Sequence, residues 1–120
     1  MLQIKEGVNN EDLLLLNPKV FIVLGHFCTY AQTHGLPVTI TSVISDRDSV
    51  KAASTTHDEG RAIDIRSYTW PKKHVKGVIA YMNNIAIHYG AISASDYQRR
   101  VIVHHKMIGG GEHFHLQVSR

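Results

Sequence analysis

The 120-residue chain has one cysteine, three prolines and one tryptophan, and these scarcities close off classes of explanation. A single cysteine, Cys28, cannot form an internal disulfide, so the fold must stand on its core or on a bound metal. Cys28 lies in the apolar run FIVLGHFCTYA, the setting of a packed, chemically quiet thiol. Long apolar runs are also missing. LLLL at 13–16 and VFIVLG at 20–25 are separated by Asn17, Pro18 and Lys19, far short of the ~20 residues of a membrane span. Glu6, Glu11 and Asp12 fall where the n- and h-regions of a secretory signal would lie, so no signal peptide is expected. Charge of one sign is scarce too. Thirteen Lys and Arg against ten Asp and Glu leave a formal +3, and the cations are scattered rather than striped, which argues against a nucleic-acid binder.

The chain has the length of one ordinary domain, and 1–120 is read as such. Its 43% apolar and 19% charged content sets disordered and fibrous classes aside. From Pro18 to His34 the apolar residues Val20, Val23, Leu24, Phe27, Cys28 and Ala31 recur on one helical face, with Asn17 as N-cap and Gly35 and Pro37 closing the far end. PVTITSVIS alternates β-branched positions and predicts a strand. A polar loop, DRDSVKAASTTHDEG, leads to RAIDIRSY, a second strand with Ile63 and Ile65 on one face and Asp64 on the other. From about Trp70 to Tyr89 the spacing of Val75, Val78, Ile79, Met82, Ile85 and Ala86 predicts another helix, ended by Gly90. RRVIVHHKM and EHFHLQV, separated by IGGG, predict an antiparallel hairpin. The order helix, strand, strand, helix, strand, strand implies an α+β domain with a small antiparallel sheet and two main helices.

Nine histidines are many for this length, and two clusters hold the informative ones. The first is His57-Asp-Glu-Gly-Arg-Ala-Ile-Asp64; the second is Glu112-His113-Phe114-His115. Zinc takes imidazole nitrogen and carboxylate oxygen, and a catalytic site keeps three protein ligands and an open position, a set the two clusters can supply. Gly60 permits the turn that brings His57 and Asp64 together. In the last strand Phe114, Leu116 and Val118 share the core face, which puts His113 and His115 on the other, so the pattern alone leaves either histidine as a ligand. Strict alternation sends Glu112 to the Phe114 side, and only a bend at Gly109–Gly111 would bring its carboxylate back. The adjacent pair His104 and His105 points to opposite faces, so at most one looks toward the site, and a structural role is expected for both.

HDEGRAID followed near the C-terminus by EHFH resembles the zinc D-alanyl-D-alanine peptidases and the phage L-alanyl-D-glutamate endolysins, which share a core with lysostaphin-type peptidases and the hedgehog amino-terminal domain. The resemblance runs from about Thr41 to Gln117. It implies that His57, Asp64 and His115 are zinc ligands, that Glu112 is the general base, and that His113 helps to orient or stabilise the reacting group. Arg47, in Ile-Ser-Asp-Arg where the family has S-G-Y-R, takes the place of the family's arginine at the reacting carbonyl. The implied activity is hydrolysis of peptidoglycan stem peptides containing D-amino acids, by a carboxypeptidase or an endopeptidase. The implied setting is a monomer without membrane insertion, held in the cytoplasm until released to the cell wall, as a phage endolysin is. The hedgehog comparison keeps open a zinc-containing binding module without catalysis. Trp70 is read as a packing residue, and Lys72, Lys73 and Lys76 as a solvated helix face.

Overall fold

The computed structural model describes residues 2–43, 60–92, 97–106 and 111–120. Arg47 and His57 lie outside these residues, as do Gly109 and Gly110. The N-terminal Leu2–Ile4 (β1) is followed by a 3-10 helix at Asn10–Leu15 and by the helix Pro18–Thr33 (α1). The expected start of α1 is present: the Asn17 side chain accepts from the Lys19 amide at 3.0 Å, with Pro18 in the first turn. Val20, Val23, Leu24, Phe27 and Ala31 are buried along one face, as their spacing requires.

Val38–Ser42 (β2) and Ala62–Arg66 (β3) are the two predicted β-branched strands. The second predicted helix is divided into Lys72–Met82 (α2), a 3-10 turn at Asn83–Ile85, and Ala86–Tyr89 (α3). The break falls at Asn83-Asn84, residues whose side chains compete for backbone hydrogen bonds and disfavour a helix interior. The apolar face nevertheless continues, because Val75, Val78, Met82 and Ala86 all reach the core across that break. The segment RRVIVHHKM is likewise divided. Arg99–Arg100 (β5) pairs with Ala91–Ile92 (β4) in a separate two-stranded ribbon, and Ile102–His105 (β6) joins the main sheet beside His113–Gln117 (β7).

The main sheet has the order β1-β2-β3-β7-β6, and only the β1–β2 pair is parallel. The architecture is therefore α+β, with a five-stranded, mostly antiparallel sheet and two main helices. One sheet face carries Ile40, Ile63, Ile65, Phe114 and Leu116 into the same core as the buried faces of α1 and α2. Phe27 of α1 stacks on Trp70 at 5.1 Å between ring centroids and meets Phe114 edge-on at 5.2 Å, tying both helical layers to β7. Trp70 is buried as expected, and its indole N–H donates to the Pro37 carbonyl at 2.7 Å. With the apolar side chains committed to this face, alternation sends Asp64, Arg66, His113, His115 and Gln117 to the other. No helix among the described residues is long and apolar enough to cross a membrane.

Candidate metal centre

The antiparallel register of β3 and β7 sets Asp64 directly opposite His115, and Arg66 directly opposite His113. Two of the expected zinc ligands therefore meet at the middle of the sheet although 51 residues separate them in sequence. His115 Nδ1 lies 3.0 Å from Asp64 Oδ1. Two ligands of one tetrahedral zinc, each ~2.0–2.2 Å from the metal, stand about 3.3 Å apart, so this spacing suits shared coordination after a small adjustment. Asp64 Oδ2 faces the second histidine of the strand, His113 Nε2, at 3.8 Å. The carboxylate thus lies between the two imidazoles, nearer to His115.

The other nitrogen of His115 is engaged as well. Its Nε2 lies 3.1 Å from Gln117 Oε1, and the Gln117 amide is oriented by its own Nε2, which donates to the Arg100 carbonyl at 3.1 Å. A backbone carbonyl only accepts, so that bond fixes which end of the amide faces His115. Gln117 Oε1 therefore faces His115 Nε2, and His115 Nδ1 faces the Asp64 carboxylate. A metal-binding histidine held through its distal N–H is the arrangement that orients zinc ligands in general. Asp64 and His115 carry the carboxylate oxygen and imidazole nitrogen that zinc takes; the third expected ligand, His57, lies outside the described residues. Among the described residues no group of three or more His, Cys, Asp or Glu side chains closes on a single metal position.

Gly60, which precedes β3, adopts φ of +69°, the left-handed conformation expected where the HDEG segment turns into the strand. A Cβ there would lie 2.5 Å from the Leu15 carbonyl oxygen, and the Gly60 carbonyl accepts from the Asn17 amide at 2.8 Å. The turn that delivers Asp64 is therefore fastened to the start of α1.

Glu112 follows the alternation of the strand. It shares the side of Phe114, where His104 stands opposite Phe114 in β6, and its Oε2 lies 3.7 Å from His104 Nε2. The same His104 nitrogen is 2.9 Å from the hydroxyl of buried Ser67. Burial holds the His104 imidazole below its ordinary pKa, against the upward pull of Glu112. Glu112 and His113 both border an open cleft of about 210 Å³ that also reaches Lys5, Thr41, Arg66 and Tyr68.

Of the His104–His105 pair, it is His105 that shares the face of His113 and His115. It stands opposite His113 in the β6–β7 ladder, and its ring is 5.3 Å from that of His113 and 5.6 Å from that of His115. Desolvation in this cluster, followed by the neighbouring His115 and His113, lowers its pKa, which favours the neutral ring. The available signal was the hairpin register: a four-residue strand opposed to EHFH necessarily puts one of His104 and His105 on the His113 face. Gln117 was equally readable, two residues beyond His115 on the same face. Cys28, expected to be a packed thiol, is half-buried, and burial raises its pKa, which favours the protonated form.

No family model, curated protein or solved structure matches this chain.

Proposed function

We propose that the chain is a zinc-dependent peptidase that hydrolyses peptidoglycan stem peptides containing D-amino acids. The observation that carries this reading is the Asp64–His115 pair, set face to face by strand register, with His115 Nδ1 3.0 Å from the carboxylate. The likeness of HDEGRAID and EHFH to the zinc D-alanyl-D-alanine peptidases and phage endolysins supplies the substrate class. His57, Asp64 and His115 are the proposed ligands. When bound, zinc supplies Lewis acidity to the scissile carbonyl and to an attacking water. Glu112, which borders the same cleft as His113, would take the proton of that water and return it to the leaving amine once its carboxylate turns from His104 toward the Asp64–His115 pair. His113, between Asp64 and the cleft, donates through its ring to the oxygen that gains charge, and Arg47 is proposed for the same task from the polar loop. Gln117 holds the His115 ring in place. In this reading the chain works as a monomer and reaches the wall after release from the cytoplasm.

One observation favours a second reading, a zinc-containing binding module without catalysis: the Glu112 carboxylate faces His104 rather than the Asp64–His115 pair. Zinc analysis of protein purified without chelators, followed by release of soluble fragments from purified cell walls, separates the two. One zinc per chain with fragment release supports the peptidase; one zinc without release supports the module; no zinc and no gain in melting temperature on adding zinc contradicts both.

A further inference from the structure

On the helical side of the molecule, away from the Asp64–His115 pair, the end of α1 meets the start of α2 and brings two histidines together. His34 caps α1, its amide donating to the Tyr30 and Ala31 carbonyls at 3.2 Å. His74 lies in the first turn of α2, where its amide donates to the Pro71 carbonyl at 2.9 Å. Their ring centroids are 4.6 Å apart. The bond from the Trp70 indole to the Pro37 carbonyl fastens the chain just after His34 to the chain just before His74. Tyr30 completes the cluster. Its Oη lies 2.9 Å from His74 Nδ1, and its ring is 4.4 Å from that of His34. That hydroxyl fills the space above Gly77, where a Cβ would collide with it. Glycine is unfavourable inside a helix, and here it lets Tyr30 reach His74. Among the described residues, His74 Nε2 and the His34 ring have no hydrogen-bond partner. Desolvation, followed by His34 and Lys73, lowers the His74 pKa, which favours the neutral ring that metals bind.

We propose that His34 and His74 form a second metal site, which holds a Cu2+ or Ni2+ ion through two imidazoles with water in its remaining positions. Ring separation selects the ion. A metal ~2.0 Å from an imidazole nitrogen stands about 3.1 Å from the ring centre, so rings 4.6 Å apart subtend about 95° at a shared ion. That is the angle between neighbouring ligands of a square-planar or tetragonal ion, whereas the tetrahedral angle of zinc needs rings about 5.1 Å apart. Nitrogen donors also exclude Mg2+ and Ca2+, which take oxygen. Tyr30 supplies the orienting contact: His74 Nδ1–H donates to its Oη, which leaves Nε2 for the ion. The ion joins α1 to α2 and clamps the fold, and the site is independent of the peptidase reading.

The test is calorimetric titration of the zinc-supplied full chain with Ni2+. Wild-type protein is expected to take up one Ni2+, and His34→Ala or His74→Ala should each weaken that binding at least about a hundredfold, because a single imidazole loses the gain of two ligands held in one molecule. Tyr30→Phe keeps both imidazoles and removes the orienting hydroxyl, so it should lower the affinity about 10- to 100-fold. His115→Ala should leave Ni2+ binding unchanged. Ni2+ should also raise the melting temperature of the wild type and not that of the His34→Ala/His74→Ala double variant, whose melting temperature without metal confirms that it is folded. Equal Ni2+ affinity in the wild type and the double variant overturns the site. Ni2+ binding that is lost in His115→Ala and kept in His34→Ala overturns it as well, by placing the ion at the Asp64–His115 pair.

Discussion

His115 has one nitrogen committed to Gln117 and the other aimed at Asp64, and this division of labour makes the two histidines of EHFH distinguishable. His115 is 6% exposed and fixed at both nitrogens, whereas His113 borders the cleft and stands 3.8 Å from the same carboxylate. His115→Ala is therefore expected to abolish zinc binding, while His113→Ala retains most of the metal and lowers turnover; the opposite pattern in zinc analysis exchanges their roles. Gln117→Ala should lower zinc affinity about 10- to 100-fold, the usual effect of removing a partner that orients a metal-binding imidazole. Competition with a chelator of known affinity checks this without reference to activity, and unchanged affinity would show that the Gln117 contact is incidental. At this scale the sequence was readable where alternation applies. It put Asp64, His113 and His115 away from the core and left Glu112 on the Phe114 side, as found. It did not single out His105, because a histidine beside another histidine has no distinguishing pattern until the strand register is known.

Among the elements, β3 and the turn before it decide the position of Asp64. Gly60 combines a positive φ with backbone contact to Leu15, so any side chain there is strained and also displaces the start of α1. Gly60→Ala is expected to cost about 1–3 kcal/mol from the left-handed conformation alone, before the contact with Leu15 is relieved. Chemical denaturation of the mutant checks this, and an unchanged midpoint would show that the turn can adopt another conformation. The two long helices and the strands at 38–42, 62–66 and 113–117 were legible because each has a clear period and strong end signals. β1 was not. Leu2–Ile4 is too short to show a period, and it becomes a strand only by pairing with β2. The division of Trp70–Tyr89 at Asn83 also escaped, since the apolar spacing continues through it and Asn84 is a weak breaker on its own.

For the whole molecule, the α+β class followed from the order of periodic segments, while the pairing of β3 with β7, which sets Asp64 opposite His115, is a long-range register that no local pattern contains. The same pairing makes metal binding a property of the folded chain. In the proposed reading, zinc held between Asp64 and His115 would favour the native state with the logarithm of its concentration over the dissociation constant, by about 2.7 kcal/mol at a hundredfold excess. Added zinc should therefore raise the melting temperature of wild-type protein and leave that of His115→Ala where it is; equal shifts in both would place the bound metal elsewhere.

The most direct test of the central claim is Glu112→Gln, assayed for zinc content, melting temperature and release of wall fragments on one preparation. Glutamine retains the size of glutamate but accepts no proton at neutral pH, so it removes the base without opening a cavity. The account predicts a folded protein with its full zinc content and fragment release reduced ~10²- to 10⁴-fold against the wild type. Fragment release at the wild-type rate by the zinc-loaded mutant would contradict it.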